Sequence, residues 1–114
     1  MNLLIVAIED QEQVEDFLSV LVELDVAGLQ VVDSATVMEV LAREAPIFAG
    51  LRQLISRPKA AGKIIVGVAK SDDVLPKLAR LLKKIGLDLD SPGVGYALLV
   101  GISQSQGLLD FDED

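Results

Sequence analysis

The residues of this chain best suited to meeting a small molecule lie in the turn Ser91-Pro92-Gly93-Val94-Gly95. Backbone N–H groups of a Gly-x-Gly turn can approach an anion closely, because no Cβ stands in the way. The same glycines also serve a tight turn into a strand with no ligand at all. Charge for an anion is available from Arg43, Arg52, Arg57, Lys59 or Lys63. Chemistry that makes or breaks bonds has far less to draw on. The chain has no histidine and no cysteine, which removes the commonest general base near neutral pH, thiolate catalysis and zinc sites of the usual kind. Glu9-Asp10 and Ser71-Asp72-Asp73 are placed as helix caps, not as acid/base pairs, so no catalytic residue is assigned and the chain is read as a non-enzyme. Asp110, Asp112, Glu113 and Asp114 lack the spacing of a calcium loop and read as the end of a loosely held acidic tail over 103–114; no metal ligand is assigned.

These groups sit in a chain of 114 residues with a net charge of −8, unevenly distributed. Residues 1–42 contain nine acids and no base, all ten bases lie between Arg43 and Lys84, and six acids follow. Nucleic acid and anionic membranes require a wide positive surface, so neither is expected as a partner. No apolar run reaches the length of a membrane span, and Glu9 and Asp10 interrupt the first run too early for a signal peptide, so a cytoplasmic location is expected. The length fits a single domain, 1–114, with no cofactor identified.

The elements that position these groups come from an internal repeat. Leu4-Ile5-Val6-Ala7-Ile8 overlies Ile64-Ile65-Val66-Gly67-Val68 without a gap, and Val14, Leu18, Leu21 and Val22 overlie Val74, Leu78, Leu81 and Leu82. Each copy reads strand, helix, strand. In the first copy Asp10 caps a helix with Gln13 reaching back, Val14, Phe17, Leu18, Leu21 and Leu24 share one face, and Gly28 leads into a strand over 29–33. In the second, the cap is Ser71-Asp72-Asp73 and Pro76 falls in the first turn, where its missing N–H is tolerated. Val74, Leu75, Leu78, Leu81, Leu82 and Ile85 form the buried stripe, Gly86 ends the helix, and Tyr96 to Ile102 is the last strand.

Two tandem strand-helix-strand units predict an α+β, ferredoxin-like domain: a four-stranded antiparallel sheet with both main helices on one face and the first strand of each copy in the middle. Strands covered on one face only should alternate apolar and polar, yet LLIVAI, IIVGV and YALLVGI are apolar at both parities. A bare face of that kind is a patch that a monomer rarely carries, so burial against other copies in a closed symmetric oligomer is expected. Between the copies, 35–62 is an inserted excursion. Thr36 to Ala42 predicts a short helix with Val37, Val40 and Leu41 inward, and Pro46 restarts a second, PIFAGLRQLI, with Phe48 and Arg52 together on its exposed side. It is read either as packing over a sheet edge or as an arm contacting a partner or gating a ligand.

With the strand Gly28 to Ser34, a long excursion, a third strand and helix, and Gly93-Val94-Gly95 before the last strand, the chain resembles the PII-type nitrogen-regulatory signalling family, in particular its divergent PII-like members. The resemblance implies a homotrimer whose inter-subunit clefts sense a small anionic effector, an adenine nucleotide, while the excursion, residues 35–61, docks on a target protein. It places the ligand between Ser34 and Thr36 of one subunit and Ser91, Gly93 and Gly95 of the next, with Arg52 or Lys63 supplying charge. The family's Gly-Asp-Gly-Lys loop stands here as Gly93-Val94-Gly95-Tyr96, and nothing basic follows Lys84, so the aspartate, the phosphate-binding lysine and the later arginines are absent. The alternative is an oligomeric structural or interaction module of the same fold that binds no ligand.

Overall fold

A computed structural model of the chain describes residues 1–44 and 62–107. Four strands, β1 (Asn2–Ile8), β2 (Ala27–Asp33), β3 (Lys63–Ala69) and β4 (Gly95–Gly101), form one sheet in the order β2-β3-β1-β4, every neighbouring pair antiparallel. The described helices are α1 (Val14–Glu23), entered through a 3-10 turn at Gln11–Gln13, α2 (Val37–Glu44) and α3 (Val74–Lys84). The core unites β1 and β3 with α1 and α3. This is the ferredoxin-like α+β arrangement, with the first strand of each copy central as its topology requires. The predicted second helix of the excursion and the end of the acidic tail lie outside the described residues.

The two copies correspond, but with a spacing one residue longer than the apolar match suggests. Leu4, Phe17, Leu21 and Val26 of the first copy hold the buried places of Ile65, Leu78, Leu82 and Leu87 of the second. The same backbone bond closes both helices: Val26 N–H donates to the Leu21 carbonyl (3.1 Å) and Leu87 N–H to that of Leu82 (2.9 Å). In runs that are apolar at both parities, side-chain type does not report which face is which, and a one-residue shift exchanges the faces. So β1 sends Leu4, Val6 and Ile8 to the helices, whereas β3 sends Ile65, Gly67 and Ala69. Gly67 is required there, since a Cβ would come within 2.7 Å of Val26 Cγ1.

The shift also corrects the helix faces. Val20 is buried in α1 while Val22 is 64% exposed, and Ile85, just past α3, is 51% exposed. Asp10 caps as expected, accepting from the Glu12 N–H at 3.0 Å. Gln13 does not complete a capping box, because its side-chain oxygen is buried with no hydrogen-bond partner. The left-handed residue after α1 is Asp25 (φ 60°), matching Gly86 (φ 85°) after α3; Gly28 lies inside β2, at its irregular pairing with β3. At the start of α3, Lys77 pairs with Asp73 at 3.1 Å, and the Ser71 hydroxyl holds the Asp73 carboxyl below its ordinary value, with Lys77 acting in the same direction. Asp72 is occupied by the amide of Asn2, which donates at 2.8 Å.

The face of the sheet away from α1 and α3 is apolar, Gln30 at its edge excepted, across three cross-strand rows: Val32, Ile64, Ala7 and Tyr96; Gln30, Val66, Ile5 and Leu98; Val68, Leu3 and Val100. Its edge members on β4 stand open, Tyr96 at 57%, Leu98 at 49% and Val100 at 48% exposure. None of the described side chains of α2 belongs to the core cluster. Val37 and Val40, expected inward, are exposed among the described residues. Among the described residues, no helix is long and apolar enough to cross a membrane.

Candidate functional site

A cavity of about 480 Å³ opens where three strand ends meet the start of α2. Its walls are the end of β1 (Ala7, Ile8, Glu9), the segment from Ser34 to Val37 with Glu39, the approach to β3 (Gly62, Ile64), and the start of β4 (Gly95, Tyr96). Ala7 pairs with both Ile64 and Tyr96, so the apolar floor is the last row of the open sheet face.

Backbone bonds draw these ends together. Glu9 N–H donates to the Val94 carbonyl at 3.1 Å, and Ser34 N–H to the Gly62 carbonyl at 3.2 Å. Both glycines are dictated by proximity. A Cβ on Gly62 would lie 2.7 Å from the Ile8 carbonyl oxygen and 3.3 Å from Ser34 Oγ. One on Gly95 would lie 1.9 Å from the Ala7 carbonyl oxygen, and Gly95 has φ 140° besides. Thr36 opens α2 as its cap, its hydroxyl oxygen accepting from the Glu39 N–H at 3.1 Å. That bond aims Glu39, one turn into the helix, along the cavity wall.

Of the residues selected from sequence, Ser34, Thr36 and Gly95 line this cavity, and they do so within one chain. Ser91 and Gly93 stand back from it in the preceding turn, where Ser91 N–H donates to the Asp88 carbonyl at 3.0 Å and Gly93 takes φ 83°. Lys63 does not line it either: strand alternation places its side chain on the face opposite Ile64, where its ammonium pairs with Asp33. Arg52 lies outside the described residues. Glu9, Glu39, Gly62 and Tyr96 carry no signal of a site in the sequence. Glu9 reads there only as the end of an apolar run and part of a helix cap, and Gly62 only as the last residue of the inserted excursion.

The described wall therefore offers two hydroxyls, two carboxylates, one phenol and an apolar floor, and no base. It can hold a ligand by hydrogen bonds and apolar contact; a nucleophile with a neighbouring base is not among its described residues. Nor do the described residues include a group of three His, Cys, Asp or Glu placed to hold a metal. No protein-family model and no curated protein sequence matches this chain.

Proposed function

We propose that this chain is a cytoplasmic PII-like regulatory protein and not an enzyme: a homotrimer that senses a small anionic effector, an adenine nucleotide in the first instance, and controls a partner protein through residues 35–61. The observation that supports it is convergence. Ser34 and Thr36, sixty residues from Gly95 in sequence, meet at one cavity whose side is the beginning of the excursion and whose floor is the end of the open sheet face. A ligand there touches both the arm and the surface available to other copies. Glu9 and Glu39 line the same cavity, so an anionic effector requires a base from outside the described wall, and Arg52 is assigned that part.

The test is thermal unfolding with ATP, ADP, AMP, cyclic dinucleotides, 2-oxoglutarate and bicarbonate, each with and without magnesium. A ligand at a hundred times its Kd adds about 2.7 kcal/mol, which raises the midpoint of a small domain by roughly 10 °C. One compound should do so in the wild type and fail with Arg52→Ala. No shift from any of them removes the sensor reading. The ligand-free interaction module then stands, supported by the open apolar face, which needs a covering surface whether or not a ligand binds.

A further inference from the structure

The outer surface of the helical layer, on the opposite side of the sheet from the apolar face, is divided by charge. On α1 and the turn before it, the exposed positions include Glu12, Glu15 and Asp16, and no base. On α3 they include Arg80, Lys83 and Lys84. The two helices pack side by side. β1 and β3 are antiparallel and each helix runs back along its own strand, so α1 and α3 are antiparallel as well. The acids cluster at the N-terminal end of α1 and the bases at the C-terminal end of α3, which places one acidic and one basic field next to each other at the same end of the layer.

A two-fold axis along the groove between the helices lays α1 of one copy over α3 of another, and the reverse, with the stacked helices antiparallel. Glu12, Glu15 and Asp16 of each copy then face Arg80, Lys83 and Lys84 of the other, twice over. The helix dipoles agree with this arrangement, since each acidic N-terminus lies over a basic C-terminus. At the far end Glu23 and Asp25 come over Lys77, which Asp73 already engages, so that end adds little. We infer that the helical layer is a self-complementary, isologous contact between two copies of this chain, held mainly by charge. The inference does not depend on the effector site or on assembly through the sheet.

The size of the layer sets its strength. Helices of this length span about 16 Å, so two side by side present on the order of 300–400 Å² per copy, under half of what a standard stable interface buries. The contact is therefore weak and salt-sensitive, appearing at high protein concentration and low ionic strength, where screening is least.

Sedimentation velocity of the whole chain over a concentration series, in about 20 mM and about 500 mM sodium chloride, reads it directly. The expected result is a rise in weight-average mass at low salt, above that of whatever unit the sheet face assembles, that disappears at high salt. Two charge-reversed variants identify the surface: Glu15→Lys with Asp16→Lys reverses two of the three acids in the acidic field and leaves Glu12, and Arg80→Glu with Lys84→Glu reverses two of the three bases in the basic field and leaves Lys83. Each alone should associate at least tenfold more weakly than wild type, and an equimolar mixture of the two should associate again. Circular dichroism melting of each variant checks that it is folded. Global charge predicts a different pattern, because the first variant halves the net charge of −8 and would associate more readily, while the second raises it by half. A mass independent of salt, or a mixture no more associated than its components, overturns the inference.

Discussion

At the scale of single residues, two glycines that look alike in sequence do different work. Gly86 ends α3 in the left-handed region with nothing within 4 Å of the place a Cβ would occupy, whereas at Gly95 the Ala7 carbonyl oxygen stands 1.9 Å from that place. Gly86→Ala should therefore cost only its backbone conformation, about 1 kcal/mol, and leave the cavity intact. Gly95→Ala must also part β4 from β1 and should cost roughly 3 kcal/mol or more, measured by urea unfolding. Equal losses at the two sites would show that backbone conformation alone, without close approach, governs Gly95. Ser34 and Thr36 were selected only through the family resemblance and carried no signal of their own. Their neighbours Glu9 and Glu39 were not readable as site residues: the bond from Glu9 N–H to Val94 depends on where the chain returns, and the local Thr36 cap that holds Glu39 does not tell that the start of α2 lies beside Glu9.

At the scale of elements, the repeat was legible and its register was not. Apolar runs of strand length and helical stripes located β1, α1, β3 and α3 within one or two residues of their observed ends. Yet Val22 fits the apolar match better than Val20 does, and the structure buries Val20 and exposes Val22. The reason is that a helix face is chosen by what it packs on, and both valines carry the same side chain. Val20→Ala should cost about 2 kcal/mol, combining lost burial with an unfilled space, while Val22→Ala should stay within about 0.5 kcal/mol of wild type. Equal effects in denaturant unfolding would restore the shorter repeat spacing. α2 shows the same limit from the other side: its amphipathic pattern predicted a helix correctly, but the burial it predicted for Val37 and Val40 is not what the described residues show.

At the scale of the whole molecule, the sheet has one covered face and one apolar open face; the second supports burial against other copies, and the number three in the proposed homotrimer comes from the family resemblance alone. If other copies cover it, Leu98→Asp places a charge where three apolar rows meet a partner, at a position nearly half exposed in the single chain. The variant should remain folded, since Leu98 faces away from the core, and should fall from trimer to monomer in light scattering at micromolar concentration. A wild-type monomer under those conditions would end the proposal.

By itself the sequence determined the architecture: two strand-helix-strand units with long apolar strands and strongly amphipathic helices admit few arrangements, and right-handed crossovers reduce these to the ferredoxin-like sheet. It also determined the absence of histidine and cysteine chemistry and the segregation of acids from bases along the chain. Only the tertiary structure decided which parity of each strand meets the helices, which hydroxyls share a cavity, and that the acidic and basic stretches become adjacent stripes on one layer. Those outcomes depend on contacts between residues far apart in the chain, where near-equal apolar side chains compete for the same places and packing, not residue type, selects among them.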